Sequence, residues 1–160
     1  MQPTPFVATR RPRLALLIDA ENFSARKALR LMAHVADRGD AIIRRAYADW
    51  TSPRQRAWQR VMQVQAIRPV QQFHYAHQKN ASDAALIMDA MELKTLSPRL
   101  DGICIASCDS DFTGIAGRIR EADIAVYGFG RPDASPAFVC ACSASPASRR
   151  GRNAWTRRAS

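Results

Sequence analysis

The stretch "RLALLIDA", residues 13–20, decides the fold class. It is a short, continuous apolar run that meets an aspartate near its end, the pattern of a strand covered on both faces. The period then changes. Ala25, Ala28, Leu29, Met32, Val35 and Ala36 recur at helical spacing, and "RGD" at 38–40 sets Gly39 near a helix C-cap. "AIIRRAYADW" (41–50) reads as a second strand. In "SPRQ" Ser52 is a helix cap, Pro53 the first helical residue and Gln55 the partner that closes a capping box. Trp58, Val61 and Met62 continue the apolar face of that helix.

The alternation persists further along. "IRPVQQFHYA" (67–76) is a weaker strand, because Pro69 removes a ladder donor and favours a strand start or a sheet edge. Ser82 is placed to cap a helix through "DAALIMDAMELKTL". "DGICIASC" (101–108) is a strand, and Phe112, Ile115, Ala116 and Ile119 line one side of the helix after it. "DIAVYGFG" (123–130) is the last clear strand. Strands alternating with helices imply right-handed crossovers, hence an α/β fold: a mostly parallel central sheet with helices on both faces, a three-layer α/β/α sandwich.

The chain has 160 residues, 47% of them hydrophobic, enough for one domain with its own core. No run has the length and apolarity of a membrane span, and "MQPTPFVATRRPR" lacks the apolar block of a secretory signal, so the expected location is cytoplasmic with no membrane partner. Cys104 and Cys108 fall in a strand, where buried thiols are ordinary, and "CAC" at 140–142 is not a zinc knuckle. The net charge of +10 points to a polyanionic partner, although "RRPR" (10–13) and "RRGRNAWTRR" (149–158) concentrate part of it at the ends. Residues 1–12 read as a basic extension, and 143–160 as a basic, disordered tail.

In such a sheet, ligands bind beyond the carboxyl ends of the strands, where the strand order switches. Asp19 and Asp109 end strands, Asp83 begins a helix, and Asp111 lies on a turn into another. Each alone is adequately explained as a helix-start acid in the field of the helix dipole. As a set they are harder to explain that way, since Ser, Thr or Asn would cap as well. Paired carboxylates need a compensating cation, and Mg²⁺ or Mn²⁺ suits a shallow site of oxygen ligands. A carboxylate-held divalent ion beside a basic surface fits phosphoryl-transfer chemistry. Arg44 and Arg45 either contact phosphates or simply flank a strand; Tyr47 and Trp50 either stack on unpaired bases or pack in the core. His74 and His77 are read as ordinary rim residues, and Glu21 and Glu92 as surface acids.

"LLIDAENF" (16–23), "AYADW" (46–50), "KNASDAALIMDAMEL" (79–93) and "ICIASCDSDFTGIAGRIREADIAVYGFG" (103–130) together resemble the NYN domain, and more closely its LabA-like branch within the PIN-like nuclease superfamily. The resemblance spans residues 13–142. It implies a PIN-like sandwich and a metal-dependent endoribonuclease that hydrolyses unpaired RNA to 5′-phosphate and 3′-hydroxyl ends. Asp19, Asp83, Asp109 and Asp111 match its acidic metal site, and Asn22 the asparagine that orients the first acid or a metal-bound water. Ser107 matches a hydroxyl residue able to bond a carboxylate or phosphate, and Lys79 a basic residue beside the site that holds substrate phosphate or serves as a plain surface lysine. Asp89 matches a recurring acid, but six residues from Asp83 is about 240° around a helix, so it is expected to support the site instead of holding metal. The chain departs from the pattern after "ASPAFVCAC" (134–142), where a truncated, frame-altered or divergent end is the expectation. The rival reading is a non-catalytic RNA-binding or regulatory protein on the same fold. A Toprim domain would put glutamate where Asp19 stands, and a haloacid-dehalogenase phosphatase requires D-x-D-x-T/V where this chain has "DAENF". Self-association as a homodimer stays open.

Overall fold

The computed structural model describes residues 10–73, 81–107 and 112–130, the side chains of 81–83 excepted. The expected alternation is present: β1 (Arg13–Asp19), α1 (Ala28–Ala36), β2 (Asp40–Ala48), α2 (Arg56–Val64), β3 (Arg68–Gln71), α3 (Ala81–Leu96), β4 (Gly102–Ala106), α4 (Thr113–Glu121) and β5 (Ala125–Phe129). All the strand pairs are parallel and form one five-stranded sheet in the order β3-β2-β1-β4-β5. β1 is central, bonded to β2 through Asp19↔Tyr47 and to β4 through Ile18↔Ala106. The fold is an α/β sandwich of the PIN-like kind.

Strand alternation assigns the layers. Leu14, Leu16 and Ile18 share one core with Ala28, Leu31 and Val35 of α1 and Trp58 of α2. Ala15 and Leu17 share the other with Leu86, Ala90 and Leu93 of α3 and Ile115, Ala116 and Ile119 of α4. Covering both faces is why β1 and β4 read as unbroken apolar runs. Each large aliphatic side chain so buried contributes about 1.5–3 kcal/mol.

Several local expectations shift. Leu29 is 69% exposed, and Leu31 takes its place inside. The cause is a 3-10 turn at Ala25–Lys27, capped by Ser24, which resets the helical phase so that α1 counts from Ala28. Ser52 caps a similar turn at Pro53–Gln55 through the Arg54 amide, but its own amide donates to the Asp49 carbonyl (3.1 Å) and no capping box with Gln55 forms. α3 starts at Ala81, so Ser82 lies within the helix and does not precede it. Pro69 does sit on an edge strand, as β3 pairs with β2 alone among the described strands. Gly39 is not a left-handed cap; it is required because a Cβ there would run into the Pro12 carbonyl oxygen. No helix among the described residues is long and apolar enough to cross a membrane.

Candidate functional site

β1 and β4 lie side by side, yet the chain leaves them toward opposite edges and opposite faces, β1 into α1 and β4 into α4. That divergence opens a crevice at their carboxyl ends. Asp19 closes β1 with the parity of Ala15 and Leu17, which turns it toward the α3/α4 layer. Ser107 follows β4 with the parity of Ile103 and Ile105, and so faces the same way.

The two meet. Ser107 Oγ donates to Asp19 Oδ2 at 2.8 Å, and Asn22 Nδ2 donates to the same oxygen at 2.8 Å. Oδ1 receives the Asn22 amide at a longer 3.3 Å. Asn22 reaches back because the chain turns directly after β1, with the Phe23 amide bonded to the Asp19 carbonyl at 2.8 Å. Asp19 and Ser107 are both fully buried. Burial raises the Asp19 pKa above its ordinary value, opposed first by the Asn22 side chain, then by Ser107 and by the Asn22 and Glu21 amides. Among the described residues no lysine or arginine forms an ion pair with it. A buried carboxylate held by neutral donors, without a cation, is energetically unfinished.

Of the other expected acids, Asp83 is carried to this rim by chain connectivity. α3 carries the chain back from β3 to a strand parallel to it, so its first turn, with Asp83, lies at the carboxyl end of the sheet. The Asp83 side chain, Asp109, Asp111, Lys79, His74, His77, Cys108 and the segment from 131 onward lie outside the described residues. Among the described residues no group of three or more His, Cys, Asp or Glu could hold a metal ion.

Asp89 is elsewhere. It lies six residues into α3 from Asp83, about 9 Å along the axis. There its Oδ2 accepts from Arg45 Nη1 (2.7 Å) and Tyr47 Oη (2.6 Å). Tyr47 is fully buried. Its hydroxyl pKa is pushed up by burial and then by the Asp89 bond and charge. Burial works against the Arg45 charge, but Asp89 more than compensates, and its pKa is raised. Arg44, the preceding residue, points to the opposite face of the sheet, where Nε donates to the Ala41 carbonyl (3.0 Å) and Nη1 to the Gln65 carbonyl (2.7 Å). Strand alternation therefore separates the two arginines, and internal acceptors hold both guanidinium groups. Cys104 is a buried thiol whose pKa is pushed up to about 12, chiefly by desolvation.

A second polar group at the same rim was not anticipated. Asp49 Oδ1 accepts from the Thr51 amide (3.0 Å), Thr51 Oγ1 (2.6 Å) and Gln71 Nε2 (2.8 Å). Glu21 Oε1 accepts the Asp49 amide (3.1 Å), and Gln71 Oε1 accepts the Trp50 amide (3.0 Å). These bonds tie together the chain ends leaving β1, β2 and β3, so Glu21 is a bracing residue and not a loose surface acid. The "DWT" spacing, an Asx-turn signature, was the available signal. Trp50 donates Nε1 to the Val70 carbonyl (3.0 Å) and packs partly buried against the core, and Tyr47 is fully buried, so Tyr47 offers no stacking face.

Comparison with known proteins bears on the fold and the family. No curated protein matches the chain. A solved structure of a Vibrio parahaemolyticus protein of unknown function is similar, with a TM-score of 0.66 at 21% identity, covering 89% of this chain and 93% of that one. At that identity the likeness speaks for the fold. The NYN domain matches residues 13–146. The chain therefore belongs to the NYN domain family.

Proposed function

We propose that this chain is a Mg²⁺- or Mn²⁺-dependent endoribonuclease of the LabA-like branch, acting in the cytoplasm on single-stranded or unpaired RNA. The observation that carries the reading is the buried Asp19 carboxylate, oriented by Asn22 and Ser107 at the strand-order switch and lacking a cationic partner among the described residues. Those residues fit a hard divalent ion. Oδ2 is occupied by two short hydrogen bonds, which leaves Oδ1 as the better donor toward the rim.

Asp19, Asp83 and Asp109 would hold the ion, with Asp111 beside them or at a second ion. When bound, it supplies positive charge to the scissile phosphate and makes water a competent nucleophile near neutral pH. Asn22 and Ser107 keep Asp19 in one rotamer, so that its charge is presented without reorganisation. Lys79 is assigned to a substrate phosphate. Asp89 acts at a distance, through the packing of α3 on Arg45 and Tyr47.

The test is cleavage of a labelled single-stranded RNA by the purified chain with Mn²⁺, repeated with chelator and with Asp109→Asn. Cleavage that needs both metal and the acid supports the reading. RNA binding without metal-dependent cleavage would replace it with a non-catalytic RNA-binding protein on the NYN fold.

A further inference from the structure

The two helical layers differ in charge. Between Asn22 and Ala36, and between Thr51 and Ile67, the sequence has six basic residues and no acid: Arg26, Lys27, Arg30, Arg54, Arg56 and Arg60. All six are exposed, on or beside α1 and α2. Residues 81–123, the stretch of sequence that includes both helices of the opposite layer, contain eight acids against Lys94, Arg99, Arg118 and Arg120. From this we infer that the outer surface of α1 and α2 is a track for single-stranded RNA, leading the strand onto the rim at Asp19; the inference rests on the ribonuclease reading and names the path its substrate takes.

Three features support it. Arg56 and Arg60 stand four residues apart on α2, where like charges on a helix repel, and Arg26 and Lys27 lie on the turn that leads into α1. Neither α1 nor α2 has an acid in its first turn to relieve that repulsion or to meet the helix dipole. A surface selected only for solubility would intersperse both signs. Second, the surface is continuous, because the turn Ala25–Lys27 packs against α2. Third, it adjoins the site: the capping residues Ser24 and Ser52 open these segments just past the ends of β1 and β2, on the rim that carries Asp19. Arg44 and Arg45 contribute little to such a track, since Gln65 and Asp89 already hold them. The occupant favoured is RNA, because the basic surface runs into a carboxylate rim suited to phosphodiester chemistry; an anionic lipid surface would not need that continuity.

The experiment compares two charge-matched variants of the full chain. One carries Arg26→Gln, Arg56→Gln and Arg60→Gln; the other carries Lys94→Gln, Arg99→Gln and Arg118→Gln. Binding of labelled oligouridine is measured across a salt series, with phosphatidylserine vesicles as a parallel probe. The first variant is expected to weaken RNA binding roughly 10- to 100-fold at low salt and to lower the slope of log affinity against log salt by about 2, at about 0.7 per phosphate contact on a single strand. The second variant is expected to bind within about 2-fold of the parent. Equal losses in both, or none in the first while the parent binds, overturn the track and leave the nuclease reading standing. Vesicle binding that depends on the first three arginines, without RNA binding by the parent, overturns both. Unchanged melting temperature in the first variant keeps any loss from being one of folding.

Discussion

The two helical layers of this sandwich sit on the same strands but use charge in opposite ways. Under α3 the charge is internal: Asp89 reaches inward to Arg45 and Tyr47, and Asp19 turns toward the same layer. Over α1 and α2 the charge is external, carried by exposed arginines with no acid among them. A carboxylate placed inward must be paired or take up a cation, so the α3/α4 layer is where specific chemistry can be built. A cation placed outward is solvated and costs the fold little, so the α1/α2 layer can hold charge for a partner.

The strongest way to break that comparison is Asp19→Asn. It retains the volume, and it is expected to reduce metal-dependent RNA cleavage by at least about 100-fold, as loss of a principal charge-stabilising group does. Stability should move the other way. The folded pKa of Asp19 is raised above its ordinary 3.8, so below 3.8 both folded and unfolded states are protonated and the group contributes nothing. As pH rises from there through the folded value, the unfolded state ionises first, and stability falls; above that value the whole penalty remains. Chelated Asp19→Asn should therefore melt above the chelated parent at pH 7, with the gap closing as the pH approaches 3.8. A variant that melts lower at pH 7 would mean that the hydrogen bonds outweigh desolvation.

The second test compares inward charge with inward packing. Asp89→Ala leaves a largely buried guanidinium and a buried hydroxyl facing one another, and should destabilise the fold by about 2–4 kcal/mol. Tyr47→Phe removes only one of the two bonds to Asp89 and should cost about 1–2 kcal/mol. Chemical denaturation of both variants and the double mutant gives the coupling. Additive losses would show that the three groups do not act as a unit.

On the other layer, Gly39→Ala tests close approach in place of charge. The new Cβ meets a backbone oxygen, which cannot rotate away as a side chain can, so about 1–3 kcal/mol should be lost. If the variant is as stable as the parent, the crossing at Pro12 has room to shift.

How much of this could be read beforehand follows from what each pattern encodes. The five strands and four helices were legible, because burial on both faces leaves apolar runs and amphipathic stretches that alternate along the chain. Asp19 was legible as a strand-end residue, and its resemblance to a family motif brought Asn22 and Ser107 with it. The orientation of Arg44 and Arg45 needed the register of β2 against its neighbours, which the pair itself does not declare. Leu29 was misread because a 3-10 turn changes the helical phase without changing composition. The Asp49–Gln71 bridge joins residues 22 apart, and no local periodicity reports a contact across strands.

Helix ends were the least legible, and they supply the smallest effect. One helix of each layer stops in the same geometry. After α2, Ala66 has φ 50° and Ile67 donates to the Met62 carbonyl at 2.9 Å; after α4, Asp123 has φ 61° and Ile124 donates to Ile119 at 3.4 Å. Both are Schellman ends with a left-handed residue where glycine is the usual occupant, so a search for glycine passes over them. Both residues are exposed, so glycine would remove the strain without removing packing. Ala66→Gly should stabilise by about 0.5–1 kcal/mol, a rise of a few degrees in melting temperature. Asp123→Gly should gain less, because a short polar side chain tolerates the left-handed region better than a methyl group does. Equal gains would show that the aspartate has no such tolerance here, and a loss at Ala66 would place the benefit of restricting the unfolded chain above the strain it relieves.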